Sequence, residues 1–336
     1  MKIITGGAGF IGSAICWRLN QLGFEDIIIV DSDREGAKKS NLEHLKFSEF
    51  IDKDSFLDKI RNNSFSPSLL ERGLGGEVTI YHMGACSSTT ETDMDYLKKN
   101  NYEYSRYLAG WALNNNARFI YASSGATYGD GSFGFSDDPS MILKLKPLNK
   151  YGLSKQMFDI WVMENNLAEK VVGLKYFNVF GPNEYHKGEM RSMVCKAYHQ
   201  IRKTGKMDLF RSYKPEYKNG EQKRDFIYVE DAVDMTVFFD ASNPVGKNRP
   251  GIFNIGSGNA YTWNRLADSI FKALNMEPRI DYVEMPENIK NQYQYFSYAD
   301  ISRLRTAGYE KEVMSLEDSV SDYIVNYLSK DRYLSL

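Results

Sequence analysis

Short apolar runs alternate along much of the chain with stretches that are long enough to form a helix. The runs occupy residues 2–5, 26–30, 78–82, 118–122, 171–176 and 252–256. Strands that alternate with helices are typical of a parallel sheet. The pattern therefore predicts an α/β fold with a doubly wound parallel sheet.

Apolar side chains at helical spacing follow several of these runs. They occur in residues 96–116, 151–165, 263–274 and 316–328. After about residue 181, turn-rich segments interrupt the regular alternation. We therefore predict a first domain over residues 1–180, to which a segment of about 225–256 returns, and a smaller α/β domain formed by 181–224 and 257–336.

A glycine-rich turn joins the first apolar run to the first predicted helix. Gly6, Gly9 and Gly12 have a spacing that lets the backbone turn off a strand and approach a pyrophosphate closely. The N-terminus of the next helix offers free N–H groups to an anion. Asp31, at the end of the second run, lies where a carboxylate accepts hydrogen bonds from an adenosine ribose. This combination predicts a Rossmann-type domain that binds a dinucleotide.

Composition and charge restrict the function classes. The 336 residues include 42 Lys and Arg against 44 Asp and Glu, a net charge of −2, so we expect no general attraction to nucleic acid or to an anionic membrane. The first apolar run leaves no room for a signal peptide, and no apolar stretch reaches about 20 residues, so we expect a soluble cytoplasmic protein. The cysteines and histidines lack metal-ligand spacing, and we predict no metal site.

A tyrosine and a lysine lie one helical turn apart within residues 151–165. Tyr151 and Lys155 share one helix face. A tyrosine at its ordinary pKa of about 10 is a poor base at neutral pH, but a cation alongside it lowers that pKa. Ser124 follows the fourth run, where a parallel strand would end and ligands bind. A tyrosine and a lysine at this spacing more often lie on a solvated helix face. Here the glycine turn at residues 6–12 makes a catalytic role the better interpretation.

These residues together resemble the extended short-chain dehydrogenase/reductase family, whose members mostly act on nucleotide sugars through a nicotinamide cofactor. Residues 224–231 (RDFIYVED) resemble that family's R-D-F-x-x-V-x-D signature. The resemblance implies that Ser124, Tyr151 and Lys155 surround the carbon whose hydride moves. The 4,6-dehydratases of the family carry Thr-Asp-Glu where this chain has Ser-Gly-Ala at 124–126, so a reductase or an epimerase fits better.

Three segments resemble the branch of this family that epimerises ADP-activated heptoses. They are residues 84–91 (GACSSTTE), 176–182 (YFNVFGP) and 186–188 (HKG). The resemblance implies interconversion of the D-glycero and L-glycero forms of ADP-β-D-manno-heptose through a C6 ketone, for lipopolysaccharide inner-core synthesis. It assigns the two acid/base roles to Tyr151 and Lys187, and a desolvated lysine can titrate near neutrality. For Lys187 alone, a loop lysine on a phosphate or in solvent is the alternative.

The same resemblance implies the remaining contacts. Cofactor contacts fall on Gly6, Gly9, Phe10, Ile11, Gly12, Asp31, Ser32, Lys38, Lys53, Met83, Gly84, Ala85, Cys86, Ser87, Asn100, Lys155 and Val179. Substrate contacts fall on Ser124, Asn178, Glu189, Lys196, Phe210, Arg211, Arg224 and Tyr293. Glu189 and Lys196 stand where the branch has a serine and a histidine, so sugar recognition departs from its pattern at these two positions.

The identity of the cofactor depends on the charges around its adenosine ribose. Asp31 favours a free 2′-hydroxyl, whereas Arg34, Lys38 and Lys53 can neutralise a 2′-phosphate. Following the resemblance we expect NADP, with NAD as the alternative. Because oxidation and reduction occur in one cycle, the cofactor should stay tightly bound and be recycled.

Two other functions compete with a heptose epimerase. One is another nucleotide-sugar epimerase acting at C4, or a reductase, of the same family; Lys187 and residues 86–91 distinguish it. The other is a non-catalytic dinucleotide-binding sensor, against which the retention of Ser124, Tyr151 and Lys155 argues. We also expect a homo-oligomer.

Overall fold

A computed structural model describes residues 1–32, 35–62, 64–65, 78–290 and 293–336. The strands within these ranges are β1 (Lys2–Thr5), β2 (Ile27–Asp31), β3 (Glu49–Asp52), β4 (Thr79–His82), β5 (Arg118–Ser124), β6 (Val172–Tyr176), β7 (Asn178–Phe180), β8 (Met207–Phe210), β9 (Lys223–Arg224), β10 (Phe226–Tyr228), β11 (Gly251–Ile255), β12 (Tyr261–Thr262) and β13 (Ile280–Val283).

Helices alternate with many of these strands along the chain. The α-helices are α1 (Phe10–Gln21), α2 (Lys53–Arg61), α3 (Met94–Leu97), α4 (Tyr104–Asn114), α5 (Pro139–Ile142), α6 (Lys150–Glu164), α7 (Met193–Thr204), α8 (Val229–Val237), α9 (Trp263–Ala273), α10 (Glu287–Lys290), α11 (Ser302–Thr306) and α12 (Leu316–Asp322). Segments Lys98–Glu103 and Tyr323–Tyr327 are π-helical. Lys39–Asn41, Gly125–Tyr128, Tyr185–Met190, Gly246–Asn248 and Leu328–Lys330 are 3₁₀-helical.

One parallel sheet forms the centre of the described chain. Its seven strands follow the order β11-β6-β5-β4-β1-β2-β3, and every neighbouring pair is parallel. The chain runs outward from β1 to β2 and β3 on one side, then returns to β4 on the other. A crevice therefore opens at the carboxyl ends of β1 and β4, where ligands bind in sheets of this type.

The six apolar runs are confirmed as β1, β2, β4, β5, β6 and β11, with ends shifted by at most two residues. The sequence pattern missed β3 at the sheet edge. Of its four residues only Ile51 is fully buried, so this strand carries no continuous apolar run. An exposed edge strand gives a weaker signal than a strand covered on both faces.

The two faces of the sheet bury separate apolar clusters. Ile4 and Ile29 face α1 and α8, whereas the adjacent Ile3 and Ile28 face the layer that includes α4 and α6. This alternation follows from successive side chains of a strand pointing to opposite faces. The doubly wound α/β prediction is therefore confirmed.

A third apolar cluster lies outside the central sheet. It joins α7, β8, α9 and α12 through Ile201, Leu209, Leu266, Ile270 and Val320. Its members come from residues 180–228 and 261–328, which overlap the predicted second region. The exact division into two domains stays a prediction.

Two of the predicted helices contain a π-helical interruption. The predicted helix over 96–116 begins at Met94 and is interrupted over Lys98–Glu103 before α4 ends at Asn114. The predicted helix over 316–328 is interrupted over Tyr323–Tyr327. The predictions for 151–165 and 263–274 are confirmed as α6 and α9. No helix in the described ranges has the length and apolarity to cross a membrane.

A buried ion pair connects β6 to α6. Lys175 Nζ lies 2.5 Å from Asp159 Oδ2, and both side chains are fully buried. The Asp159 carboxylate also accepts hydrogen bonds from Tyr121 at 3.0 Å and Ser123 at 2.7 Å. Every partner of this carboxylate is supplied by an adjacent strand, so α6 is fixed against the sheet.

We predict that Lys175→Met destabilises the protein strongly, because it leaves the Asp159 carboxylate buried without its cation. The expected loss is about 3–5 kcal/mol in the free energy of unfolding, measured by urea denaturation at pH 7. Arg265→Met breaks the exposed Arg265–Glu317 pair and should cost less than about 1 kcal/mol. Equal losses of unfolding free energy in the two variants would show that burial of an ion pair does not determine the cost of breaking it.

Candidate active site

The glycine turn forms one wall of the crevice beside β1. Gly6 has φ 65°, in the left-handed region that favours glycine. A Cβ on Gly6 would lie 2.7 Å from Gly84 Cα, so the turns after β1 and β4 are in backbone contact. The first helical bond of α1 runs from Ser13 N to Gly9 O at 2.9 Å. The amides before Ser13 are therefore free of helical partners at the start of α1 and suit an anionic group.

A cleft of about 360 Å³ opens along this wall. Most of the predicted cofactor residues line it: Gly6, Gly9, Phe10, Ile11, Gly12, Asp31, Ser32, Lys38, Lys53, Met83, Gly84, Ala85, Cys86, Ser87 and Asn100. The lining also includes residues that the sequence analysis did not assign to a cofactor: Val30, Tyr96, Tyr104, Ala122, His186 and Lys187. A cleft lined by a glycine turn, a helix N-terminus and several lysines fits a dinucleotide.

Two predicted cofactor residues, Lys155 and Val179, are not among the residues that line this cleft. Lys155 is buried and donates from Nζ to Ala122 O at 2.9 Å, directly behind a lining residue. Val179 belongs to the short strand β7, where it pairs with Ile227 of β10.

Asp31 is bonded to its protein surroundings on both carboxylate oxygens. Oδ1 accepts from Ser32 N and from Lys38 Nζ, each at 2.8 Å, and Oδ2 accepts from Ala8 N at 3.1 Å. The charge of Asp31 is therefore balanced by Lys38. This arrangement reduces the repulsion that a lone carboxylate would exert on a phosphate.

Lys53 forms a second cationic position near the same end of the cleft. Its Nζ lies 2.7 Å from Asn100 Oδ1 and 5.1 Å from the centroid of the Tyr104 ring. The third basic residue predicted here, Arg34, lies outside the described residues.

Ser124, Tyr151 and Lys155 lie on β5 and the first turns of α6, behind the lining residue Ala122. The Ser124 side chain is hydrogen-bonded to the Tyr151 hydroxyl and also accepts from Ala126 N at 3.1 Å. Asn149 caps α6 through a bond from Gly152 N to its Oδ1 at 2.7 Å, which fixes the first turn that carries Tyr151. The predicted grouping of a serine, a phenol and an ammonium is present.

The pKa of Tyr151 is raised, which corrects the lowering that we expected from Lys155. Burial raises the pKa of Tyr151, and the hydrogen bond with Ser124 opposes this rise only in part. The Lys155 ammonium is directed to Ala122 O, so it does not act on the phenol as expected. Burial also lowers the pKa of Lys155 to about 8, although Asp159 on the next turn favours the charged form.

Asn101 is a site residue that the sequence analysis missed. It lies in the π-helical segment Lys98–Glu103, is buried, and brackets Cys86 by accepting from Cys86 N at 2.8 Å and donating to Cys86 O at 3.0 Å. It also donates to Ser154 Oγ at 2.9 Å. Asn101 thereby ties the cleft loop to α6, and π-helical turns occur often at functional sites.

Lys187 reaches the cleft from the 3₁₀ segment Tyr185–Met190. Its Nζ lies 5.0 Å from the centroid of Phe10 at the start of α1. Burial lowers the pKa of Lys187, while the charge of Glu184 opposes that lowering. Gly188 follows with φ 54°, so the chain bends sharply away just after the lysine. Lys187 is thus a half-buried cation at the cleft wall and not a freely solvated one.

The predicted substrate residues fall into separate places. Arg224 is buried, with its guanidinium carbon 5.0 Å from the Tyr293 ring and 5.9 Å from the Trp263 ring. Phe210 packs edge-on against Tyr293 at 6.4 Å between centroids. These three predicted residues therefore form one aromatic and cationic cluster, to which the sequence analysis did not assign Trp263.

The other predicted substrate residues have the following positions. The Arg211 guanidinium pairs with Glu284 at 3.0 Å and donates to Tyr282 O. Asn178 donates to Asp225 O at 2.9 Å. Lys196 donates to Glu189 O at 3.2 Å, so the two residues that depart from the branch pattern are neighbours.

The chain matches a known protein family over most of its length. The model of the NAD dependent epimerase/dehydratase family matches residues 2–256. The chain belongs to this family. The match covers the central sheet, the glycine turn and the Tyr151–Lys155 helix, so the expected family resemblance is confirmed. As a member of the NAD dependent epimerase/dehydratase family, the chain is an enzyme that uses a nicotinamide dinucleotide.

Relatives in this family resemble the chain over nearly its full length. It is 48% identical over 330 residues to an ADP-L-glycero-D-manno-heptose-6-epimerase of Nitratidesulfovibrio vulgaris, covering 98% of each chain. It is 44% identical over 344 residues to an enzyme of the same name from Fusobacterium nucleatum, covering 99% of this chain and all of the other.

A solved structure agrees with these relatives. The Helicobacter pylori ADP-L-glycero-D-manno-heptose-6-epimerase is 26% identical with a TM-score of 0.74, covering 97% of this chain and 95% of that one. A UDP-glucuronic acid 4-epimerase from Bacillus cereus, solved with UDP-glucuronic acid and NAD, has the same TM-score of 0.74 at 23% identity. The fold is therefore shared between enzymes named for different sugars.

We predict that Gly12→Ala weakens both folding and dinucleotide binding, because its Cβ would collide with Gly6 O. The expected loss in the free energy of unfolding is about 1–3 kcal/mol, measured by denaturation. The matched control is Gly110→Ala in α4, where a Cβ meets open space; it should stabilise by about 0.5–1 kcal/mol. Unimpaired NADP or NAD binding by the Gly12 variant would contradict the role of the close turn.

Proposed function

We propose that this protein interconverts ADP-D-glycero-β-D-manno-heptose and ADP-L-glycero-β-D-manno-heptose, a step of lipopolysaccharide inner-core heptose synthesis. The observation that carries the proposal is the 48% identity over 98% of the chain with an enzyme of that name. The position of Lys187 on the cleft wall supports the proposal. Inversion at C6 uses one proton-transfer group on each face of the sugar carbon, and Lys187 offers a second group besides Tyr151.

The proposed reaction is an oxidation followed by a reduction at C6. In the first step the C6 hydroxyl loses its proton to a side chain and C6 loses a hydride, giving a ketone. When bound, the nicotinamide supplies the hydride acceptor and later the hydride donor. In the second step the hydride returns to the opposite face of C6, and the ketone oxygen takes a proton from the second side chain.

Tyr151 and Lys187 suit complementary proton-transfer roles. The raised pKa of Tyr151 keeps its phenol protonated, so it can donate to the ketone oxygen. The lowered pKa of Lys187 favours a neutral amine more than a solvated lysine does, so it can accept the hydroxyl proton. The reverse reaction exchanges these roles. Ser124, bonded to Tyr151, can hold the same substrate oxygen.

Arg224 is proposed to bind the ADP diphosphate. The buried guanidinium has planar donors that match phosphate oxygens in bidentate geometry. The adjacent rings of Phe210 and Tyr293 provide apolar surface for the nucleotide. Self-association and a cytoplasmic location remain predictions alongside this function.

We predict that Tyr151→Phe and Lys187→Met each lower kcat by at least about 100-fold, because each removes one proton-transfer group. The measurement is epimerisation of substrate deuterated at C6, with product retaining the deuterium and no net consumption of added NADPH. Both variants should still bind the dinucleotide. Lys203→Met, on the exposed face of α7, is the matched control and should turn over normally.

Two results would contradict the epimerase proposal. Steady oxidation of NADPH would indicate a reductase, and release of the C6 deuterium to water would exclude a hydride that is taken and returned. Normal turnover by the Lys187 variant would show that Lys187 is not a proton-transfer group. The proposed overall reaction would still stand.

NADP is proposed as the resident cofactor. Lys38 and Lys53 both line the end of the cleft that contains Asp31, and Asp31 is already neutralised by Lys38 at 2.8 Å. A 2′-phosphate at this position could pair with Lys53, which forms no ion pair with Asp31 in the described part of the chain. NAD complexes are known for family members such as the B. cereus enzyme, and NAD is therefore the alternative to be tested.

We predict that mass spectrometry of the denatured protein finds NADP and that Lys53→Ala weakens NADP binding by about tenfold to a hundredfold. This range corresponds to losing one hydrogen bond to a charged group. Binding of NAD to the same variant should change little, as measured by calorimetry on protein stripped of cofactor. Lys59→Ala, exposed on the same helix α2, is the control. Release of NAD from the purified protein would contradict the NADP proposal.

A further inference from the structure

Glu184 is a buried carboxylate beside the segment that carries Lys187. Its side chain has no exposed surface. It accepts hydrogen bonds from Ser192 Oγ at 2.6 Å, from Tyr323 Oη at 3.1 Å, from Gly181 N at 3.4 Å and from Ser192 N. A carboxylate is costly to bury, and this one is held by partners from three separate parts of the chain.

The local backbone places Glu184 and Lys187 on the same side of one turn. Glu184 is the N-cap of the 3₁₀ segment Tyr185–Met190, and Lys187 N donates to Glu184 O at 3.0 Å. Side chains three residues apart eclipse each other in a 3₁₀ turn. The two side chains therefore leave the same side of the turn, and that of Lys187 reaches the cleft.

We propose that Glu184 is a positioning residue for the reaction, one that orients Lys187 at the cleft and stabilises its ammonium form. This inference rests on the proposed function, in which Lys187 alternates between proton acceptor and proton donor. Burial alone would favour only the neutral amine. A fixed negative charge beside the lysine restores part of the charged population that the donor role needs.

Charged and titratable groups on the neighbouring elements favour the same assignment. Cys195 of α7 also lies within electrostatic range of Lys187, but burial raises the pKa of that thiol to about 11, so it is neutral at physiological pH. His186 has a pKa lowered to about 4 by burial and by Lys38 and Lys187 and is neutral as well. Tyr185 and Tyr323 have raised pKa values, mainly from burial. Among these neighbours, Glu184 is the group whose negative charge raises the pKa of Lys187.

The hydrogen-bond donors around Glu184 explain how its negative charge is stabilised in a buried position. Burial raises the pKa of Glu184, while the charge of Lys187 and the bonds from Ser192 oppose that rise. The tyrosine from the C-terminal π-helical segment adds a further donor. The carboxylate is therefore stabilised by donors that do not line the cleft, and its charge acts on Lys187.

The test is the titration of Lys187 in the full chain carrying Glu184→Gln. Lysines are ¹³C-methylated and followed by NMR, and the Lys187 signal is identified by its absence from a Lys187→Arg protein. Because the Glu184 charge raises the pKa of Lys187, the Gln variant should titrate lower than the original protein by about one pH unit or more. The alkaline limb of kcat against pH should move in the same direction.

Two matched variants separate this effect from loss of structure. Tyr323→Phe removes a neutral donor to the same carboxylate but keeps the negative charge, so it should not lower the Lys187 titration. Glu184→Asp keeps a charge near the lysine and should recover part of the shift. An unchanged Lys187 titration in a folded Glu184→Gln protein, or an equal shift in Tyr323→Phe, would overturn the inference.

The titration needs no substrate, so its outcome is independent of the activity assay. If the original protein fails to epimerise ADP-heptose but Lys187 still depends on Glu184, the proposed function fails alone. If the protein epimerises and Lys187 is indifferent to Glu184, the positioning role fails alone.

Discussion

The backbone contact between the turns after β1 and β4 is the constraint on which the site depends. A side chain at Gly6 would lie 2.7 Å from Gly84 Cα, so the two turns can close only without it. Their contact brings the N-terminus of α1 and the loop containing Cys86 to the same edge of the sheet, where the strand order reverses. A helix N-terminus suited to an anion and the loop at Cys86 therefore become parts of one cleft.

The reactive end of that cleft is fixed by buried polar groups that do not themselves line it. Asp159 pairs with Lys175 below α6 and also favours the charged form of Lys155 one turn earlier. Asn101 fixes the loop at Cys86 from the π-helical segment. Buried polar groups are costly unless fully bonded, and here their bonds fix the loop at Cys86 and α6 relative to the sheet.

Much of the central fold was predictable because strands that are covered on both faces carry continuous apolar runs. The edge strand β3 has only Ile51 fully buried and gave no such signal. The glycine spacing and the family resemblance predicted most of the cleft lining, since those contacts follow from a local motif. The pKa direction of Tyr151 was not predictable from its spacing to Lys155, because burial and the bond from Lys155 to Ala122 O are tertiary features. The helical spacing of residues 96–116 does not distinguish Asn101 from its polar neighbours, and Glu184 lies in no periodic segment. Only the folded chain shows their partners.

The contacts of Lys187 link the proposed chemistry to the C-terminal part of the chain. Tyr323 bonds Glu184 beside the lysine, and Leu334 N donates to Asn183 Oδ1 at 2.9 Å. Asn183 in turn donates to Ser13 Oγ of α1 at 3.0 Å. The segment with the proposed second acid/base group is thus held between the helix that faces the cofactor cleft and residues from the end of the chain. Because proton transfer requires hydrogen-bond distance, small movements of this segment would change catalysis more than they change dinucleotide binding.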